Sequence, residues 1–225
     1  MGPVEEPKTE NELLERAWNV AGLTLGELGA EVGLAVPTEG VRGKGVAGQI
    51  MERVLGASAA SRAEPDFMGL GIELKTIPLD ATGKPKESTF VASIALSAMA
   101  DTDWENSVVF RKLTKVLFVP VEAASETPLR DRRVGRAYLW VPTKAETEQL
   151  RADWERLAEM IARGDVTRIT GHLGEVLQVR PKAARGSARR RAPDEEGAVQ
   201  WAQPRGFYLR PTFTRGVLAR LRAEE

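Results

Sequence analysis

Residues 115–121 read Lys-Val-Leu-Phe-Val-Pro-Val, apolar at every position after the first. A strand with one wet face alternates apolar and polar side chains, whereas a strand without alternation must be covered on both faces. The run is far too short to span a membrane, which takes ~18 apolar residues. A chain containing it has to build layers, with other elements packed above and below this strand.

The flanking patterns supply those layers. Thr9-Glu10-Asn11-Glu12 is a capping box, and Leu13, Leu14, Ala17, Trp18 and Ala21 follow at helical spacing up to Gly22. A second box, Thr24 to Glu27, opens a short helix through Leu28 and Val32 to Gly33, and a third helix covers 46–55 before Gly56. The period then changes to two. GIELKTI (71–77) alternates, with Ile72, Leu74 and Thr76 on one face and Glu73, Lys75 and Ile77 on the other. TFVASIAL (89–96), AYLWV (137–141), EVLQVRP (175–181) and FYLR (207–210) read as further strands. Thr143 and Glu146 cap a long helix through Leu150, Trp154, Leu157 and Ile161 to Gly164, and 213–222 form an amphipathic closing helix. Residues 1–8 read as a flexible tail, and the small, charged stretch 183–200 as a mobile loop. This order predicts an α/β fold: a mixed central sheet with helices on both sides, built as one large domain or two lobes sharing a core.

Composition removes several chemistries. There is no Cys, so thiolate metal sites and a Cys nucleophile are excluded, and the single His172 rules out a multi-histidine metal site. His172 lies in a polar turn, ITGHLGE, and no strained Ser elbow accompanies it, so it reads as a surface residue. The N-terminus is acidic rather than signal-like, which predicts a soluble cytoplasmic protein with no membrane partner. Lys plus Arg and Asp plus Glu both total 32, but the charge is polarised: residues 180–191, RPKAARGSARRR, hold six basic residues and no acid. Such a surface suits a polyanion, and equally a solvated Arg-rich loop.

Three motifs bear on chemistry. Gly43-Lys44-Gly45-Val46-Ala47-Gly48 matches a dinucleotide fingerprint, but no strand feeds it, and Gly45 stands where a phosphate-binding loop would need Ser or Thr. Lys44 could still touch a phosphate from that loop. Pro65-Asp66 followed by Gly71-Ile72-Glu73-Leu74-Lys75 is more informative. Glu73 and Lys75 leave one face of a strand, and a turn through Gly69 and Gly71 can fold Asp66 back beside Glu73. Paired carboxylates hold a hard divalent cation such as Mg²⁺, and a neighbouring ammonium can hold a water near a phosphate and offset developing charge. An exposed strand face with a local ion pair fits the same spacing. Glu52, on the third helix, is either a solvated charge or a group reaching that site.

Beyond these motifs the chain resembles the MutH family of DNA mismatch repair endonucleases, in the type II restriction-endonuclease superfamily with the PD-(D/E)xK site. The resemblance rests on TLGELGAEVGL (24–34), RGKG (42–45), LGASAASRAEPDF (55–67), LGIELKTIPLD (70–80), TFV (89–91), WE (104–105), KVLFVPVE (115–122), RRVG (132–135), RADWERL (151–157), LQVRPKAA (177–184) and PRGFYLR (204–210), from about Leu13 to Leu221. It implies a restriction-endonuclease-like α/β/α nuclease in two lobes around a DNA cleft, with 9–165 as the catalytic part and 166–225 as the DNA-reading part. It places Asp66 and Glu73 as metal ligands, Glu52 as a supporting acid, and Lys75 and Lys112 as catalytic lysines. It places Lys44, Arg180, Pro181, Lys182 and Tyr208 on DNA. Alternation makes Phe207 the core residue and turns Tyr208 to the other face.

The implied function is Mg²⁺-dependent nicking of the unmethylated strand at hemimethylated GATC, with Mn²⁺ or Ca²⁺ as substitutes in vitro. MutL would be the activating ATPase and MutS an indirect partner. A GATC-specific type II restriction endonuclease and a non-catalytic DNA-binding protein are the alternatives. The acidic pair with its lysine argues against the second.

Overall fold

The structure is a computed structural model, and it describes residues 4–37, 45–59, 63–94, 99, 101–182, 190–193 and 199–224. In chain order the elements are α1 (Glu10–Asn19), α2 (Leu25–Glu31), α3 (Val46–Leu55), β1 (Glu73–Leu79), β2 (Thr89–Ser93), α4 (Val108–Leu113), β3 (Val116–Glu122), β4 (Tyr138–Trp140), α5 (Lys144–Ala162), β5 (Leu177–Pro181), β6 (Arg190–Pro193), β7 (Val199–Ala202), β8 (Arg205–Leu209) and α6 (Pro211–Ala223). They form two compact units that interleave along the chain: Met1–Glu87 with Thr114–Val141 and Arg215–Glu225, and Ser88–Leu113 with Pro142–Thr214.

In the first unit β3 pairs parallel with β1, Glu73 opposite Val116 and Leu79 opposite Glu122, and antiparallel with β4. β3 is thus the middle strand of a mixed sheet, and every residue except Glu122 is buried. That position is why its sequence lacks alternation. Leu13, Leu28, Ile50 and Met51 of the helices share one core with Leu74 and Leu117 of the strands. Burying each such side chain contributes about 1.5–3 kcal/mol. Phe118 stacks on Trp140 with centroids 5.5 Å apart.

The helix ends follow the expected caps closely. Thr24 and Glu27 form a complete reciprocal box, as do Thr143 and Glu146 at the head of α5. At α1 only half the box forms. Thr9 accepts from the Glu12 N–H at 3.1 Å, but the Glu12 carboxylate accepts from the Lys8 N–H and from Arg16 instead of reaching Thr9.

In the second unit β2, β8 and β5 make an antiparallel sheet with β8 central, and β6 and β7 make a separate hairpin. Trp104 packs edge-on to Phe110 (5.4 Å) and tilted against Trp154 of α5 (5.9 Å). Asp153, also on α5, is buried and ties the helix to β5. Its Oδ2 accepts the N–H groups of Val176 at 2.7 Å, Glu175 at 2.8 Å and Leu177 at 2.9 Å.

Two expectations change, and one short helix was not foreseen. Among the described residues the strands form a mixed sheet, an antiparallel sheet and a hairpin rather than one mixed central sheet, because β8 pairs on both sides with β2 and β5 and none of these three pairs with β1, β3 or β4. The stretch 183–200 is not all loop, since 190–193 and 199–202 pair as β6 and β7; Val199 and Trp201 have the strand propensity that the Arg-rich composition hides. Residues 183–189 and 194–198 lie outside the described residues. The six-residue α4, too short to display a helical period, is capped by Ser107, whose Oγ accepts the Phe110 N–H at 3.0 Å. Among the described residues no helix is long and apolar enough to cross a membrane.

Candidate functional site

The chemistry-bearing residues of the first unit lie on a tight turn that ends in β1. Phe67 and Ile72 exchange both backbone hydrogen bonds, at 2.9 and 3.2 Å. Gly71 makes that turn possible, because its φ of +64° lies in the left-handed region that other residues enter at a cost. Asp66 and Glu73 flank the closed 67–72 bridge on its two sides.

Each acid is held by backbone or by charge. Asp66 Oδ2 accepts the Leu74 N–H at 2.8 Å, so its carboxylate is fixed against the first residues of β1. Ser58 and Ala59 donate to the Asp66 carbonyl, pinning the chain that follows α3 to the same turn. Glu73 is 1% exposed and accepts from Lys75 Nζ at 2.5 Å. A buried carboxylate needs such a partner, since an unpaired charge there would cost several kcal/mol. Within the first unit, Asp66 is thus bonded to the backbone of β1 at Leu74, and Glu73 and Lys75 pair on that strand. Two hard oxygen donors beside an ammonium are a donor set suited to Mg²⁺, which takes one or two carboxylates and keeps waters.

Glu52 is the third acid that the sequence assigns to this site. It is exposed on α3, and among the described residues no three His, Cys, Asp or Glu side chains gather in a way that could hold a metal ion. Its Oε1 is 4.0 Å from where a Cβ on Gly48 would stand, as is the Thr76 hydroxyl of β1. It also lines a cavity of about 530 Å³ with Val4, Glu31 and Arg53. Lys44 lies outside the described residues.

The remaining predicted residues belong to the second unit. Lys112, on α4, is buried at 5% exposure. Arg180, Pro181 and Lys182 at the end of β5 are exposed, and Tyr208 is half-buried on β8. Phe207 and Leu209 point into the core at 2% and 0% exposure, so Tyr208 takes the opposite face, as alternation required.

The structure joins Tyr208, Lys182 and Arg180 through residues that sequence reasoning missed. Phe90 of β2 pairs in register with Tyr208 and meets its ring edge-on at 5.3 Å and 68°. The Lys182 ammonium stands 4.5 Å over the Phe90 ring and donates to Ser93 Oγ at 2.5 Å. Arg180 Nη1 donates to Ser88 Oγ at 3.1 Å, and Gln178 Nε2 donates to the same hydroxyl at 2.7 Å. The result is one face of an antiparallel sheet carrying an arginine, a lysine and two aromatic rings. Cation, fork and ring together suit a polyanion with flat bases. The only hint in the sequence was the alternation of TFVAS, which gives a face to Phe90 but no partner. Arg205, at the start of β8, donates to the Ile169 carbonyl at 2.9 Å, and burial pushes its guanidinium below the usual arginine value.

The chain is similar to known proteins over nearly all of its length. The profile of the family described as DNA mismatch repair enzyme MutH matches residues 55–153, the stretch holding Asp66, Glu73, Lys75 and Lys112. The chain is 49% identical over 212 residues to the DNA mismatch repair protein MutH of Shewanella amazonensis, covering 94% of this chain and 95% of that one. Against the proteins of the same name from Serratia proteamaculans and Escherichia coli it is 49% identical over 214 residues, covering 95% of this chain and 94% and 93% of theirs.

Proposed function

The chain belongs to the MutH family of DNA mismatch repair enzymes, and on that premise we propose that it nicks the unmethylated strand of hemimethylated GATC sites in a Mg²⁺-dependent reaction. The observation that carries the reading is the meeting of Asp66, Glu73 and Lys75 on the 66–75 turn and strand, with Glu73 buried and paired. A restriction-endonuclease-like architecture accompanies it.

Asp66 and Glu73 would hold the cation, and Glu52 would support it from α3. When bound, Mg²⁺ supplies Lewis-acid activation of water and offsets charge on the phosphoryl oxygens. Asp66 is prepositioned, because its Oδ2 is already fixed by the Leu74 N–H and does not have to be ordered at the moment of reaction. Lys75, 14% exposed along its side chain, places an ammonium beside the scissile phosphate and stabilises charge that develops in the transition state. Lys112, in the second unit, serves as the other catalytic lysine. Hydrolysis leaves a 5′-phosphate and a 3′-hydroxyl.

Strand choice falls to the sheet face of the second unit. In the major groove adenine offers an N6 amino donor, and methylation replaces one of its hydrogens with an apolar group. Tyr208 offers a rigid ring and a hydroxyl to that edge, and packing on Phe90 limits its freedom to retreat from a methyl group. Arg180 and Lys182 contact guanine or phosphate, Pro181 stiffens the backbone between them, and Lys44 contacts phosphate. Activation by the ATPase MutL, with MutS acting upstream, completes the reading, and Mn²⁺ or Ca²⁺ would occupy the metal site in vitro.

The test is strand-resolved nicking of unmethylated, hemimethylated and fully methylated GATC duplexes, with and without MutL and ATP. Tyr208→Ser should keep some cutting of unmethylated sites but narrow their advantage over methylated ones. Arg180→Ala should lower activity on both and relax sequence choice. An unchanged methylation ratio in Tyr208→Ser would refute the assignment of strand choice to this face.

A further inference from the structure

We propose that Gly206 is a positioning residue for DNA reading: its bare backbone seats the Phe90 ring, which in turn holds Tyr208 and Lys182. This rests on the proposed role of the β2–β8–β5 face. Gly206 sits in the middle of that sheet, opposite Ser93 of β2 on one side and Arg180 of β5 on the other. A Cβ at this position would stand 2.8 Å from Phe90 Cε2, 3.0 Å from the Ala92 carbonyl oxygen and 3.3 Å from Tyr208 Cε2. The first distance is an overlap that close-packed atoms do not tolerate. Space for the missing side chain is already filled by the two rings.

Phe90 cannot move alone. Its ring meets Tyr208 edge-on at 5.3 Å and lies 4.5 Å beneath the Lys182 ammonium. Lys182 follows β5 yet donates to Ser93 on β2, so its side chain spans the intervening strand β8, where Gly206 is the partner of Ser93. A methyl group at 206 that lifts the Phe90 ring therefore disturbs both groups assigned to the DNA. Gly206 thus acts through Phe90.

The experiment compares Gly206→Ala with wild type, and Phe90→Ala/Gly206→Ala with Phe90→Ala, in strand-resolved nicking with kcat and KM separated and thermal unfolding measured on each protein. The ratio of unmethylated to methylated cutting should fall about tenfold in Gly206→Ala, a coupling of the size found between touching residues. With the Phe90 ring removed, the same glycine change should alter that ratio less than about twofold. Folding of Gly206→Ala only when residue 90 is Ala supports the same conclusion. An unchanged ratio in a folded Gly206→Ala, an equal loss in both backgrounds, or loss of folding in both, overturns it. Failure of the wild-type protein to cut GATC duplexes with any divalent cation would instead sink the functional reading on which the inference stands.

Discussion

Replacing Asp153 by Ala should be among the most damaging single changes in the second unit. Its Oδ2 is the acceptor for three consecutive N–H groups, those of Glu175, Val176 and Leu177. Glu175 is exposed and its N–H can turn to water, but Val176 and Leu177 are 6% and 0% exposed. Leaving a buried donor without its acceptor costs about 1–3 kcal/mol. Two of them, with the lost carboxylate contacts, give roughly 3–5 kcal/mol against a total stability of about 5–15 kcal/mol. For a chain of this size that lowers the thermal midpoint by about 10 °C. Asp153→Asn keeps one acceptor oxygen but exchanges a charge-assisted bond for a neutral one and turns an amino group towards the Glu175 N–H, so about 1–2 kcal/mol is expected. Arg180 lies three residues beyond Leu177 on the same strand, so the loss should also loosen its placement. Calorimetry gives the stability change, and amide exchange locates it at Val176 and Leu177. A cost in Asp153→Ala below about 0.5 kcal/mol, the level of an ordinary surface substitution, would refute the reasoning.

Further tests concern chemistry, charge and pH. Asp66→Ala and Glu73→Ala should each abolish nicking while DNA binding, measured by gel shift, persists, because a cation held by two carboxylates loses an anchor. Lys75→Ala should slow the chemical step on the order of 10²-fold with little change in affinity, read by single-turnover kinetics. DNA affinity should fall steeply with salt despite the balanced total of charges, and replacing Lys44 should flatten that slope by about one unit without altering site preference. The Glu27 carboxyl is held below its usual range, mainly by the Thr24 backbone N–H and then by the Thr24 hydroxyl. A depressed folded-state value contributes stability that is complete above the unfolded carboxylate range, near about 4.3, and is lost as pH falls through the folded value. Glu27→Gln should therefore lower the thermal midpoint slightly at neutral pH and leave it nearly unchanged at acid pH, which flattens the acid side of the profile.

The two parts of the proposed site differ in how far the sequence could disclose them, and the reason is the range of the interactions that build each. Asp66 and Glu73 flank one short turn closed at Phe67 and Ile72, and Lys75 pairs with Glu73 two residues away, so spacing and a glycine were enough to foresee the turn. The same holds for Thr24 with Glu27 and Thr143 with Glu146, whose bonds reach three residues. The unbroken apolar run at 116–121 foretold a strand covered on both faces, since burial is written into each residue. What surrounds Tyr208 is written nowhere locally. Alternation turned it away from the core side of β8, but Phe90, Ser88 and Ser93 reach it or its neighbours only through pairings between strands far apart in the chain. Asp153 was hidden for a related reason: it falls on the buried side of an amphipathic helix, where periodicity ranks residues by hydropathy and cannot see three amide donors waiting on another element. Gly206 is the extreme case, because its importance lies in the rings that occupy the place of its absent side chain. The turn under a proposed hydrolytic centre, made of neighbours, can thus be read from one chain. A recognition face assembled across a sheet needs the register before any of its residues can be given a task.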